Sequence, residues 1–106
     1  MLDSIMIDDI KYKVVQKTNK ELQNQECNST IMFYGITDSV RSTIYINSEI
    51  SKEEKKLTLV HEIIHAILHE RGFDELNDEK WDTAVDGIAH GFRMAIKQND
   101  LKEILK

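Results

Sequence analysis

In the stretch LTLVHEIIHAILHE, Leu57 to Glu70, three of the chain's four histidines recur at intervals of four, and Glu62 directly follows the first. Residues four apart on an α-helix project to one side, so His61 and His65 can aim two imidazoles at one ion while Glu62 sits beside them. Zinc suits such a set. Neutral imidazole nitrogens are borderline ligands, a tetrahedral shell leaves one position to water, and a neighbouring carboxylate takes that water's proton. His and Glu at this chain's own frequencies produce HExxH by accident in on the order of one chain in a hundred. The bland alternative is a pair of partly buried histidines with glutamate partners and no ion.

Two histidines need a third protein donor, and a second periodic segment supplies candidates. Asp82 and Asp86 lie one helical turn apart on the same flank of its apolar stripe. An ion between His61 and His65 lies about two turns before the first helix ends, and in an antiparallel pair the level residue lies about two turns into the second. Asp86 is therefore the expected third ligand, and Asp82, one turn nearer the loop, its rival. Three histidines along one straight helix span about 12 Å, too far for His69 to share the ion, so it reads as a pocket residue or a solvated one. His90 reads as a surface or core histidine, with oxyanion stabilisation as the rival role. Trp81 reads as packing, and Tyr12, Tyr34 and Tyr45 as half-buried strand aromatics, any of which could face an oxyanion. Asp78 and Glu79 read as acids favoured near a helix N-terminus.

The elements that must position these groups are legible on either side. Ser51 and Glu54 stand at capping-box spacing, so a helix is expected from there. Its apolar residues Leu57, Val60, Ile64, Ile67 and Leu68 form a stripe, and Gly72 supplies a stop. After GFDELN, a second helix carries Val85, Ile88, Ala89, Phe92, Ala95 and Ile96 as its stripe, with a last turn possible in LKEILK. Upstream, IMIDDIKYKVV fits two short strands turning at Asp8-Asp9. Two more strands are expected at Ile31 to Ile36 and Ser42 to Ile46, separated by TDSVR, while KTNKELQNQECNST reads as a loop or a frayed helical turn. The expected fold is α+β: a small, largely antiparallel sheet from the N-terminal half packed on two antiparallel helices.

Composition narrows the function classes. At 106 residues, with 41% hydrophobic and 31% charged residues, the chain reads as one soluble globular domain spanning 1–106. A net charge of -5 offers no basic field for phosphates, which argues against nucleic acid as a partner. No apolar run approaches a membrane span, and the N-terminus carries acids where a secretory signal carries basic residues, so a cytoplasmic location is expected. The single cysteine, Cys27, reads as a reduced surface thiol.

The run TIYINSEISKEEKKLTLVHEIIHAILHERG, followed by EKWDTAVDGIAHGFRMAIKQND, resembles small zincin-like metallopeptidases of phages and prophages, relatives of the ImmA/IrrE family and more distantly of SprT-like proteins. The resemblance covers roughly Thr43 to Asp100 and, weakly, the Ile5 to Val15 hairpin. It implies His61 and His65 as metal ligands, Glu62 as catalytic base and Asp86 as the helix-two acid. At Asp86 the chain departs from the pattern, because similar sequences carry glutamate there and aspartate reaches one methylene less far. The expectation is a zinc-dependent hydrolase acting on a peptide or protein, with the strand ending at Ile46 offering an edge to an extended substrate. A metal-stabilised binding module that has lost catalysis is the second reading.

Overall fold

The computed structural model describes residues 1–73 and 79–101. Its elements run β1 (Ser4–Ile7), β2 (Ile10–Lys17), α1 (Asn19–Gln25), β3 (Gly35–Asp38), β4 (Thr43–Asn47), α2 (Lys52–Glu70) and α3 (Glu79–Gln98). The class is α+β, as expected. The expectations for Asp78, the Glu79 side chain, most of the GFDELN connection and the tail after Leu101 fall outside the described residues.

Asp8 and Asp9 form the tight turn between β1 and β2, both at positive φ (47° and 67°). Aspartate tolerates that region better than most residues, and two such residues suit a two-residue hairpin loop. The β2 alternation then sends Tyr12 and Val14 inward. The sheet order is β1-β2-β4-β3, and here the expectation of a largely antiparallel sheet needs correction. The central pair, β2 and β4, is parallel, with Lys13 opposite Thr43 and Lys17 opposite Asn47. Between them the chain leaves through α1 and β3 and folds back, so that β4 enters beside β2 in the same direction as β2.

The segment read as loop or frayed turn holds, ahead of a turn at Cys27 and Asn28, the two-turn helix α1. Thr18 caps it: the Glu21 amide donates to the Thr18 hydroxyl at 3.2 Å, and the Thr18 amide donates to the Glu21 carboxylate at 2.9 Å. The strand expected from Ile31 begins only at Gly35. Phe33 and Tyr34 are instead pinned beside the sheet: the fully buried Asn47 donates through Nδ2 to the Phe33 carbonyl at 2.8 Å, and its amide donates to the Tyr34 carbonyl at 2.8 Å. Thr37 and Asp38, expected in the turn, lie in β3, where the Asp38 side chain accepts from the Arg41 amide and shapes the turn that follows.

The Ser51 hydroxyl caps α2 by accepting from the Glu54 amide at 3.1 Å. At the other end Gly72 takes φ 85°, a left-handed position that ends the helix cheaply only with glycine. That end is tied to the sheet twice. The Tyr12 hydroxyl donates to Glu70 Oε1 at 2.7 Å, and the Arg71 guanidinium forks onto both Asp8 carboxylate oxygens at 2.8 and 2.9 Å. Burial, reinforced by Glu70, raises the Tyr12 phenol well above its ordinary value, so it stays a donor.

The core joins Ile7, Tyr12, Val14, Ile44 and Ile46 of the sheet to Ala66 of α2, with Ile5, Leu59 and Ile63 packed against it. The α2 stripe thus differs from the expected one: Leu59, Ile63 and Ala66 face the sheet, while Ile67 is exposed. Apolar residues surround much of this helix, which packs on both the sheet and α3, so more than one stripe can be drawn on it and the expected one is not the sheet-facing one. On α3 only Val85 and Ala89 of the expected stripe are fully buried, and Ile88, Phe92 and Ile96 stay about half exposed. No helix among the described residues is long and apolar enough to cross a membrane.

Candidate metal centre and active site

α2 packs against β1, β3 and β4 on one side and α3 on another, and its His61, Glu62 and His65 face borders a trough lined by β3 and α3 residues. The rings of His61 and His65 converge, with centroids 4.8 Å apart and Nε2 atoms 3.1 Å apart. Asp82, on the first turn of α3, closes the third side: its Oδ1 lies 3.3 Å from His61 Nε2 and 3.0 Å from His65 Nε2.

This triangle is a poor hydrogen-bond arrangement and a good cation site. Each ring nitrogen offers one in-plane valence, a lone pair or an N–H, yet each faces two partners at similar distance. A single cation uses one lone pair from each atom. Donors about 2.0–2.1 Å from a tetrahedral ion lie about 3.3 Å apart, close to the separations seen. Two imidazoles with one carboxylate match zinc's donor preference. The Asp82 side chain is 63% exposed, so the centre opens to solvent on the α3 side, leaving room for water.

The expected third donor, Asp86, lies elsewhere. Its Oδ1 is 3.4 Å from His61 Nδ1, the ring nitrogen that faces away from the triangle, and its Oδ2 is 3.6 Å from His90 Nδ1. The structure therefore brings Asp82, the rival, to both histidines. The reason is helix register. Arg93 of α3 pairs with Glu53 of α2. Counting eleven residues inward along each antiparallel helix puts Asp82 level with Ile64, between the two histidines. Seven residues inward puts Asp86 level with Val60, outside them.

Glu62 is 7% exposed and packed under β3. Its Oε1 accepts from the Thr37 hydroxyl at 2.8 Å, while its Oε2 lies 4.0 Å from His61 Nε2. Burial pushes its carboxyl up to about 7; the Thr37 hydrogen bond and the His65 ring pull the other way, and the Asp82 charge adds to the rise. Gly35 permits the close approach of strand and carboxylate. A Cβ there would lie 2.7 Å from Thr58 Cγ2 and 3.0 Å from both Glu62 Cγ and the Tyr45 carbonyl.

The centre borders both lobes of the trough, each lined by Glu62, His65 and Asp82. One lobe, of about 240 Å³, is walled by Leu68, Phe73 and Trp81, with His69 at its side. The other, of about 740 Å³, runs between the Met32–Gly35 segment and the α3 residues Asp86 and His90. Gly35 borders the larger lobe and Thr37 the smaller, so β3 follows the trough. The strand expected to offer an edge was the one ending at Ile46; that strand, β4, has both edges paired, by β2 and β3. The edge beside the trough belongs to β3. Of the tyrosines, Tyr12 is buried in the core, and Tyr34 borders the larger lobe.

The family model described as the IrrE N-terminal-like domain, a peptidase family, matches residues 15–101. The chain belongs to this family. Membership makes the IrrE-like domain a peptidase of zincin-like type at the level of the family, and the HExxH triangle supplies it with a possible His/Asp metal site. No curated protein and no solved structure matches the chain. The match begins inside β2 and so spans every residue of the candidate site. From sequence Thr37 reads as a turn residue, and neither Thr37 nor Gly35 is given a part in the site. The only local sign was a glycine two residues before a threonine in a short extended run, which many strands share.

Proposed function

We propose that this domain is a zinc-dependent peptidase in which His61, His65 and Asp82 hold the ion and Glu62 is the base. On the resemblance of its motif run, we take it to be phage- or prophage-borne, with a peptide or protein as substrate. The reading is carried by one observation: three donor atoms from two helices meet within 3.3 Å of one another, beside a buried carboxylate with one oxygen turned toward them. Bound zinc supplies a water of near-neutral pKa and polarises a carbonyl. The remaining work belongs to the chain. The open edge of β3 pairs with an extended polypeptide lying in the trough and presents its backbone to the centre. Glu62 Oε2 takes the proton of the attacking water and returns it to the leaving amine. The trough excludes bulk water from one face of the bond, while Asp86 restrains the His61 ring through Nδ1.

The test is a peptide library incubated with untagged, zinc-loaded protein and followed by mass spectrometry. Cleavage that stops with chelator and returns with zinc is expected. Stoichiometric zinc with no cleavage would favour the binding-module reading. Failure to retain zinc would remove both.

A further inference from the structure

A glutamate has several rotatable bonds, and a base that must reach one spot needs them held. We infer that Thr37, on the sheet-edge strand, is the positioning residue that holds Glu62 by Oε1 and leaves Oε2 as the proton-accepting oxygen. The inference rests on the peptidase reading of the site.

The geometry is specific at the level of atoms. Thr37 Oγ1 is 2.8 Å from Glu62 Oε1 and 3.1 Å from the Glu62 main-chain carbonyl. A hydroxyl has one proton to donate. The carboxylate is nearer and, when ionised, the stronger acceptor, whereas the carbonyl already belongs to the α2 ladder. With Oε1 engaged, Oε2 is the oxygen turned to the ion site, 4.0 Å from His61 Nε2. The anchor itself is stiff. Threonine is β-branched with restricted χ1, and Thr37 pairs with Ile44 inside the sheet. Gly35, two residues earlier and so on the same face, lets the strand press onto Glu62 and Thr58.

The strand offered to the substrate is thereby also the strand that aims the base. Scissile carbonyl and proton acceptor are set from one backbone, so a bound chain in register with β3 is in register with Glu62.

The test uses zinc-loaded full-length protein and a peptide that the wild type cleaves. Thr37→Val keeps the shape and removes the hydroxyl; Thr37→Ser keeps the hydroxyl. For Thr37→Val, kcat is expected to fall about 10- to 100-fold, the range for removing a group that orients a site residue, with KM and zinc content unchanged. Thr37→Ser is expected within about threefold of wild type by the same reasoning. The inference is overturned if the valine variant keeps its kcat, if it loses zinc or its fold so that the role is merely structural, or if serine fails as valine does. Wild-type protein that cuts nothing overturns the peptidase reading together with this inference. Wild-type cleavage with an unaffected valine variant overturns this inference alone.

Discussion

Zinc-loaded Glu62→Gln is expected to cleave peptides about 10²- to 10⁴-fold more slowly than wild type, the usual contribution of a positioned general base. The amide keeps an oxygen for the Thr37 hydroxyl, so the loss is one of proton acceptance rather than of packing. The same substitution has an opposite effect on stability. In metal-free protein, burial raises the Glu62 carboxyl from its ordinary 4.5 to about 7. Between those values the folded state holds a proton that the unfolded chain has released. Stability is therefore fully present below about 4.5, falls as pH rises, and reaches its lower level above about 7. Metal-free Glu62→Gln, with nothing to ionise there, is expected to melt higher than metal-free wild type at pH 8 and to show no such decline. A bound cation favours the carboxylate and flattens the decline in wild type as well. Melting curves from pH 4 to 9, with and without zinc, decide the matter; equal pH dependence in the two metal-free proteins refutes it.

The second large effect separates Asp82 from Asp86. Asp82→Ala removes one of three donors and is expected to lose zinc through dialysis. Asp86→Ala is expected to retain it with an affinity lowered about 10- to 100-fold at most, since only a charged neighbour of the His61 ring is removed. Because the ion binds only the folded chain, free zinc a thousandfold above Kd adds about 4 kcal/mol to stability. The zinc-dependent rise in melting temperature should then vanish in Asp82→Ala and survive in Asp86→Ala. The reverse pattern, with zinc retained by the Asp82 variant and lost by the Asp86 variant, would return the third position to Asp86.

The contrast between those aspartates shows what a sequence can carry. The spacing of His61 and His65 is set within one helix, so periodicity alone brings their rings together. The level of Asp82 depends on how two helices slide past one another. That offset, marked by the Arg93–Glu53 pair, is a long-range property that no local spacing encodes. The sheet divides in the same way. The β1–β2 hairpin is local, and its Asp8-Asp9 turn announces it. The parallel pairing of β2 with β4 joins residues thirty apart, through a helix and another strand, and no alternation pattern distinguishes it from an antiparallel partner. Thr37 reads from sequence as a turn residue but lies in β3, against a helix distant in the chain. A threonine on a strand is ordinary, and it gains a role only because Gly35 lets that strand touch α2.

α3 packs on α2 rather than on the sheet, with Val85 and Ala89 its fully buried residues. A rod fastened by so little apolar area opens more readily than the body that carries it. Asp82 sits on that rod, and both histidines sit on the body, so any ion spanning them is also a rivet between two units of unequal stability. Loading with zinc should slow amide hydrogen exchange along Glu79–Gln98 far more than along β2 or β4, and uniform slowing across the chain would show that the two units open as one. On the peptidase proposal, filling the site and fastening α3 would be one event, and the working centre would exist only while that lighter unit is held down.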